Sequence, residues 1–229
     1  MPEKTLDRIE IFKDVSRDAR QALVTRCTWT SYDANQQIVG HLDTSKQVFF
    51  LVDGKARAII YSVTGKPVTF RDIEAGGMFG EIAAIDGKPR SASVETLTPC
   101  LVASMSSTVL WDVLREYPPV MTAALKYFTG QVRTLTERVF EFSTLAVKNR
   151  IHAELLRMAR DHPGEDETVI LSPTPTHAEI ASRISTHREA VTRELNRLVE
   201  IGLIERRKSK LIILDVTRLA RLVHEVIGE

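Results

Sequence analysis

Cysteine is nearly absent from this chain of 229 residues, in which only Cys27 and Cys100 occur. The two stand far apart and form no CxxC pair, which argues against a zinc ribbon or a cysteine-ligated iron–sulfur cluster. We therefore expect no bound metal. Two cysteines suffice for one disulfide, but a reducing compartment is the simpler interpretation.

Long apolar runs are missing as well, and no segment reaches the length that crosses a membrane. The N-terminal segment MPEKTLDRIEIF has no basic stretch followed by an apolar one, so it predicts no signal peptide. We expect a soluble cytoplasmic protein with no membrane partner. The net charge is only +1, so any binding of nucleic acid must depend on local charge.

Between Trp29 and Met105 the chain consists of short runs rich in β-branched and aromatic residues, such as QVFFLV, KARAIIY and PVTFRDI. Asp-Gly, Thr-Gly and Gly-Gly pairs separate the runs at roughly regular intervals. Short strands with evenly spaced turns predict an all-β sandwich, barrel or jelly roll. A short helix is expected before it, within Asp18–Cys27.

Few helix-breaking residues occur between Pro119 and Pro163, and Pro118 stands where a helix can begin. Apolar residues recur there alternately four and three positions apart, which is the heptad spacing of a coiled coil. The pattern predicts a long helix that pairs with a second copy of the chain, although a helix packed against its own domain is the alternative. The residues with this spacing, called the seam below, are Met121, Leu125, Phe128, Val132, Leu135, Val139, Phe142 and Ala146.

A second pattern begins at residue 176 with the segment THAEIASRISTHREAVTRELNRLVEIGLI. It predicts two helices, Thr176–Arg183 and Thr186–Glu200, joined by a tight turn. Thr176 and Glu179 have the spacing of a capping box, which marks the start of the first helix.

The second of these helices has two distinct faces. Val191 and Leu195 share an apolar face, whereas Glu189 and Arg193 share a polar one. Two helices with a tight turn and an outward polar strip predict a helix-turn-helix, which reads DNA with its second helix. The alternative is a solvated helix pair of mixed charge.

The following segment, GLIERRKSKLIILD, predicts two short strands around a basic tip, which is the wing of a winged helix-turn-helix. From Arg183 to Arg221 there are ten Lys or Arg and five Asp or Glu, whereas the preceding segment is acidic. The basic excess thus lies where a DNA-facing surface is expected.

Nearly the whole chain resembles the Crp–Fnr family of regulators. In the segment STHREAVTR, Arg188, Glu189 and Arg193 match the family's base-reading residues. The resemblance implies an α+β fold with three parts. These are a cyclic-nucleotide-binding β-roll (jelly roll) with flanking helices at residues 1–116, a dimerisation helix at 117–144 and a winged helix-turn-helix domain at 145–229.

The resemblance also implies a homodimer that binds palindromic double-stranded DNA with TGTGA-like half-sites. The chemistry agrees, because arginine bonds guanine O6 and N7 and glutamate accepts from cytosine N4. Ser185 stands where the family often has glycine, and His187 where it often has serine. The predicted DNA contacts are Thr176, Ser185, Thr186, His187, Arg188, Glu189, Thr192, Arg193, Lys208 and Lys210. The predicted dimer contacts are Leu125, Phe128, Val132, Leu135, Val139 and Phe142.

Within the predicted roll, FGEIAAIDGKPRSAS resembles the phosphate-binding cassette of cyclic-nucleotide domains. Arg90 would pair with the cyclic phosphate through its forked donors, and Glu81 would accept from the ribose 2′-hydroxyl. Gly80 would let the backbone come close, and Ser91 would add a donor. The alternative is a structural ion pair between Glu81 and Arg90 at the base of a surface loop. The cassette comprises Phe79, Gly80, Glu81, Ile82, Ala83, Pro89, Arg90, Ser91 and Ala92.

The resemblance implies that polar residues of the long helix meet the base of the nucleotide. The corresponding positions are Leu135 and Thr136, of which only the second carries a hydroxyl, and Thr134 or Arg133 could substitute. Cyclic AMP is therefore the leading ligand, and cyclic GMP stays open because a serine beside Arg90 also suits guanine.

Other interpretations have less support. A redox, haem or gas sensor on this scaffold lacks the cysteine cluster that iron–sulfur versions need, and His41 is a lone histidine. A regulatory module of an enzyme is disfavoured by the helix-turn-helix, and no catalytic motif such as a nucleophile elbow is present. A family member that responds to another effector, or to none, stays open. The acidic loop His162–Glu167 lies where relatives contact RNA polymerase, which is a further expected partner.

Overall fold

The computed structural model describes residues 3–161 and 168–227, and the acidic loop lies outside them. The chain divides into two compact units, residues 1–133 and 134–229, which are described separately. This division falls inside the long helix, and the predicted three-part domain limits stay a prediction. No helix among the described residues is long and apolar enough to cross a membrane.

The predicted fold class is confirmed, with a β-rich N-terminal unit, a long helix and a C-terminal helix-turn-helix. A short 3-10 turn at Glu10–Phe12 precedes the regular elements. The helices are α1 (Arg17–Val24), α2 (Glu81–Asp86), α3 (Ser107–Glu116), α4 (Pro118–Thr144), α5 (Val147–Asp161), α6 (His177–Arg183), α7 (Arg188–Glu200) and α8 (Val216–Ile227). The strands are β1 (Thr28–Tyr32), β2 (Gln37–Val39), β3 (Val48–Asp53), β4 (Lys55–Tyr61), β5 (Pro67–Glu74), β6 (Met78–Phe79), β7 (Ser93–Thr96), β8 (Cys100–Met105), β9 (Val169–Leu171), β10 (Ile204–Arg207) and β11 (Lys210–Ile213).

The roll consists of two antiparallel four-stranded sheets with the orders β1-β8-β3-β6 and β2-β7-β4-β5. Strand β3 is buried on both faces, which explains its unbroken apolar run VFFLV. Because side chains alternate along a strand, Phe49 and Leu51 point into the roll, whereas Phe50 and Val52 pack towards the helices. The roll therefore has an inner core and a second core beneath α1, α3 and α4.

The long helix α4 carries most of the seam on its exposed surface. Leu125 is 60% exposed, Val132 62%, Leu135 51% and Val139 64%. Phe128 instead packs against the core of the first unit, so it is partly covered by its own domain. A row of exposed apolar side chains along one helix favours a partner surface.

The second unit packs α5, α6, α7 and α8 over a three-stranded sheet with the order β10-β11-β9. Val191 and Leu195, which were predicted to share an apolar face, are buried, and so are Ala181, Ile184 and Leu198. Strands β10 and β11 form the wing as an antiparallel pair.

The predicted start of the second helix of the helix-turn-helix was wrong, because α7 begins at Arg188 and not at Thr186. The Thr186 amide donates to the Ala181 carbonyl oxygen, and His187 has extended backbone angles of φ −103° and ψ 148°. Residues 186 and 187 therefore belong to the turn, and His187 is the N-cap of α7.

Val139→Asp tests whether the seam is the dimer contact. In a seam-paired dimer the new carboxylate would face its symmetry mate and remove an apolar contact, so we expect monomers by light scattering. Thr134→Asp adds the same charge to an exposed position of α4 outside the seam, and it should leave the dimer intact. A stable Val139→Asp dimer would show that the chain associates through another surface.

Candidate nucleotide pocket and nucleic-acid interface

The cassette contains one short helix, α2, which lies between two glycines. Gly80, with φ +74°, precedes α2, and Gly87, with φ +71°, ends it. After the helix the chain runs back beside residues 40–46, where the Arg90 amide donates to the Asp43 carbonyl and the Leu42 amide donates to the Arg90 carbonyl. These bonds fix the backbone from which the Arg90 side chain starts.

The Arg90 side chain points into the roll and is only 2% exposed, although the loop residues on either side of it, Pro89 and Ser91, are exposed as expected for a surface loop. Its Nε donates to Ser45 Oγ at 3.1 Å and its Nη1 to the Gly80 carbonyl oxygen at 2.8 Å. The guanidinium carbon lies 5.3 Å from the centre of the Phe49 ring. Nη2 is buried and has no hydrogen-bond partner among the described residues.

Gly80 is required by this arrangement. A Cβ at that position would lie 2.5 Å from Arg90 Nη1 and 3.0 Å from both the Gln47 carbonyl oxygen and a ring carbon of Phe49. Its positive φ also disfavours any other residue. The glycine thus lets the guanidinium sit directly against the backbone.

Glu81 is also buried, but it does not pair with Arg90. Its Oε1 lies 3.6 Å from Arg71 Nη2, and in the described part of the chain no carboxylate lies within 4.0 Å of Arg90. Burial raises the pKa of the Glu81 carboxyl, and the positive charges of Arg71 and Arg90 oppose this. Burial likewise lowers the pKa of Arg90. The alternative of a Glu81–Arg90 ion pair is therefore not what the structure contains.

The other cassette residues divide into supporting and accessible ones. Phe79 stacks on Phe49 with ring centres 5.0 Å apart, and Ala83 is buried. Ile82 and Ser91 are exposed, and Ala92 is half-buried. Phe79 and Ala83 therefore support the cassette from below, and Ile82 and Ser91 are open to a ligand.

A cavity of about 320 Å³ opens into the roll beside the cassette. It touches the site through Ser45 and Phe49, the two side chains that also contact Arg90. Its size is at the lower end of the range for ligand sites, roughly 300–1,000 Å³. The remaining lining residues are Thr28, Thr30, Tyr32, Ile38, Val39, Gln47, Val102 and Ser104.

The residues predicted to meet the base lie on exposed positions of α4. Arg133 is the last residue of the first unit, and Leu135 and Thr136 belong to the second unit, which begins at Thr134. Their part in nucleotide binding stays a prediction.

The recognition helix α7 presents the predicted readers at its N-terminal end. Arg188, Glu189 and Arg193 are exposed there, and His187 is exposed just before them. Thr186, in contrast, is buried, which disfavours its predicted DNA contact.

The capping box predicted from the sequence is present at the start of α6. Thr176 Oγ1 accepts from the Glu179 amide, and the Glu179 carboxylate accepts from the Thr176 amide. Ser185 is exposed in the turn with φ +50°, which is the backbone conformation for which glycine is the usual residue.

His177 is a residue of this surface that the sequence analysis missed. Its Nδ1 lies 2.7 Å from Thr192 Oγ1, and that hydroxyl donates its single hydrogen to the Arg188 carbonyl oxygen at 3.0 Å. Burial, together with Arg206 and Arg188, lowers the pKa of His177. No sequence pattern pointed to it, because the contact joins two different helices.

The wing carries the predicted basic tip. Lys208, at φ +47°, and Lys210 are exposed. Arg207 instead pairs with Glu205 through an Nε–Oε1 distance of 2.6 Å, and Arg206 donates to Asn196 Oδ1 of α7. The two lysines are therefore better placed than Arg207 to meet phosphates.

Buried polar contacts join α7 to α5. His152 of α5 lies 2.6 Å from Glu194 of α7, and Arg197 donates to the same carboxylate. Burial lowers the pKa of His152 despite that neighbour. These contacts set the position of α7 against α5.

The buried carboxylate of Glu154 is surrounded by three arginines. Arg183 Nη1 lies 3.5 Å and Arg138 Nη2 3.6 Å from its oxygens, and Arg157 donates to it directly. Arg157 also contacts Glu141 at 2.6 Å. The cluster joins the end of α4 to α5 and α6 within the second unit.

The two cysteines are free thiols. Burial raises the pKa of Cys27 to about 12, and burial also raises the pKa of Cys100. Raised pKa values disfavour the thiolate, which is the form that reacts and binds metal.

Comparison with known proteins identifies a known domain in each unit. Residues 29–117 match the model of the cyclic nucleotide-binding domain, and residues 149–222 match that of the Crp-like helix-turn-helix domain. The chain belongs to the Crp–Fnr family.

Its relatives include the CRP-like cAMP-activated global transcriptional regulator of Mycobacterium tuberculosis (strain CDC 1551 / Oshkosh). The two are 24% identical over 221 residues, covering 96% of this chain and 98% of the relative. A CooA mutant from Carboxydothermus hydrogenoformans has a similar structure, with a TM-score of 0.82, 16% identity and coverage of 94% and 95%. CLP from Xanthomonas campestris, described as c-di-GMP responsive, has a TM-score of 0.75, 16% identity and coverage of 86% and 99%.

This Crp–Fnr protein is a cyclic-nucleotide-binding, DNA-binding transcription regulator. Regulators with the Crp-like helix-turn-helix bind DNA and function as dimers. The family consists of transcription regulators and not of enzymes.

Glu81→Gln tests the energetic role of the buried carboxylate. A carboxyl whose folded pKa is raised destabilises the fold when ionised, and the destabilisation disappears as the pH falls through the folded pKa. We therefore expect the ligand-free variant to melt at a higher temperature than the parent at pH ~7, with a smaller difference in acid. Nucleotide affinity should fall about 10- to 150-fold, since a hydrogen bond to a charged group contributes roughly 1.5–3 kcal/mol. A lower melting temperature at neutral pH would show that the ion pair with Arg71 outweighs the cost of burial.

Proposed function

We propose that this protein is switched by cyclic AMP and binds a palindromic operator with TGTGA-like half-sites as a homodimer. The observation that carries the proposal is the buried Arg90, whose Nη2 has a hydrogen to donate and no partner among the described residues. A buried cation without a carboxylate within 4.0 Å favours an anionic ligand.

The cassette residues then take complementary roles. Arg90 would donate to the cyclic phosphate, and Gly80 leaves the space in which guanidinium and ligand meet. Glu81 would accept from the ribose 2′-hydroxyl, because its contact with Arg71 at 3.6 Å leaves acceptor capacity on the carboxylate. Ser91, exposed beside Arg90, would add a hydroxyl or an amide donor.

Cyclic AMP is favoured over cyclic GMP by the relative from M. tuberculosis, which is described as cAMP-activated. The base would meet Thr136 and Leu135 on α4, with Arg133 nearby. Cyclic GMP is the second candidate, because the exposed hydroxyl of Ser91 suits guanine.

On the DNA side, Arg193 and Arg188 would bond guanine, and Glu189 would accept from cytosine. Thr176, Ser185, His187 and Thr192 would contribute flanking contacts, and the wing residues Lys208 and Lys210 would meet phosphates. As a transcription regulator the protein would act in the cytoplasm together with RNA polymerase.

The switch follows from the chain order, in which the cassette unit leads through α4 into the DNA-binding unit. A two-fold dimer must present its recognition helices about 34 Å apart to enter successive major grooves. A nucleotide that contacts α4 differently in two conformations biases α4, and the seam would carry this bias to both subunits.

The decisive experiment is an anisotropy titration of a palindromic TGTGA-type duplex with no ligand, with cyclic AMP and with cyclic GMP. Typical allosteric coupling of about 1–3 kcal/mol predicts a 5- to 150-fold gain in DNA affinity with cyclic AMP. Arg90→Ala and Arg90→Lys should show no gain, because lysine retains charge but lacks the fork. Equal DNA affinity in all three conditions would reject cyclic-nucleotide switching and favour another effector.

A second experiment separates base reading from phosphate binding. Arg193→Ala should lose about 1–3 kcal/mol at one guanine and relax specificity there. Lys208→Ala should weaken binding to all sequences alike and lower the slope of log affinity against log salt by about one. A uniform loss in both variants would assign Arg193 to a phosphate contact.

A further inference from the structure

Glu81 is paired by an arginine from outside the cassette. Arg71 lies on β5, and its Nη2 donates to the Met78 carbonyl oxygen at 2.8 Å while lying 3.6 Å from Glu81 Oε1. The cassette motif contains a different arginine, Arg90, which does not pair with Glu81.

Helix α4 holds the Arg71 side chain from the other side. The Arg71 guanidinium carbon lies 5.6 Å from the centre of the Tyr127 ring, within the range of a cation–π contact. The Tyr127 hydroxyl donates to the same Met78 carbonyl at 3.3 Å. Strands β5 and β6 and helix α4 thus meet at one carbonyl oxygen, all within the first unit.

From this geometry we propose that Arg71 is a positioning residue for nucleotide binding. Arg71 keeps the Glu81 carboxylate ionised and oriented towards the ribose, and Tyr127 of α4 holds the Arg71 side chain in place. The proposal rests on the proposed function and assigns a role to a residue outside the cassette. Ionisation matters because a carboxylate accepts a hydrogen bond from a hydroxyl more strongly than a neutral carboxyl does.

Burial makes the charged form of Glu81 costly. The Glu81 side chain is 8% exposed, and removal from water favours its neutral form. Arg71 is the cation that pairs with Glu81, and its own side chain is 26% exposed. Arg90 also acts on Glu81 through its charge, but a bound phosphate would neutralise that contribution. Arg71 would then be the main charge that holds Glu81 ionised in the complex.

Arg71→Gln should therefore make nucleotide affinity depend on pH. In calorimetric titrations of the full-length protein with cyclic AMP, the variant should lose about tenfold in affinity per pH unit below the raised Glu81 pKa. The parent should stay flat over the same range. Arg71→Lys retains the charge and should restore most of the flat profile. The double variant Arg71→Gln with Glu81→Gln should be weak at every pH and independent of it.

Arg57→Gln is the matched control, because Arg57 lies on the neighbouring strand β4 and pairs with Asp72 at 2.7 Å. It should keep the parent's pH profile, so a loss caused only by a weakened sheet would appear in both arginine variants. An Arg71→Gln profile as flat as that of the parent would overturn the proposal.

A readout without nucleotide separates this inference from the proposed function. Carboxyl-carbon NMR of the ligand-free protein should show Glu81 titrating at a higher pH in Arg71→Gln than in the parent or in Arg57→Gln. An unchanged Glu81 midpoint would reject the role of Arg71 whether or not cyclic AMP binds. Failure of the parent to bind either nucleotide would reject the proposed ligand, and the NMR midpoint would still decide the role of Arg71 in ionising Glu81.

Discussion

The candidate nucleotide pocket of the first unit depends on the burial of one cation, the guanidinium of Arg90. Its position requires the bare backbone of Gly80, the hydroxyl of Ser45 and the ring face of Phe49. A charge in this setting loses water and gains two hydrogen bonds from the residues that the structure describes, so the ligand-free roll holds it at a cost. An anion that accepts a hydrogen bond from Nη2 would offset part of this desolvation cost. Ligand binding at Arg90 would therefore also stabilise the folded roll.

Glu81 places a buried negative charge at the same site as the buried positive charge of Arg90. If Glu81 paired with Arg90, each would satisfy the other, and neither the donor nor the acceptor would be left for a ligand. The structure separates them and gives Glu81 its own partner, Arg71, at a distance that leaves the carboxylate able to accept further hydrogen bonds. The free donor at Arg90 Nη2 and the remaining acceptor capacity of Glu81 are thus available for the proposed cyclic nucleotide. Tyr127 connects the Glu81–Arg71 pair to α4.

The second unit is organised around buried ion pairs as well, but these are structural. Glu154 forms ion pairs with Arg138, Arg157 and Arg183, which lie on three different helices. Removing one partner of such a buried group leaves the others uncompensated and is typically strongly destabilising. The cluster therefore ties the end of α4 to α5 and α6 within the second unit, which also carries α7 and the wing.

The sequence by itself determined the all-β N-terminal domain, the long helix, the capping box at Thr176 and the wing, because these depend on local periodicity and turn residues. Motif spacing carried the resemblance to the family, and the resemblance in turn implied the β-roll. It also identified Arg90 and Glu81, but it left open whether they pair. Only the tertiary structure decided that Arg90 is buried, that Arg71 pairs with Glu81 and that His177 contacts Thr192. It also moved the start of α7 to Arg188, because the Thr186 amide bonds back to Ala181. These features join residues that are distant in the chain or depend on a single backbone bond, and no periodic pattern encodes such contacts.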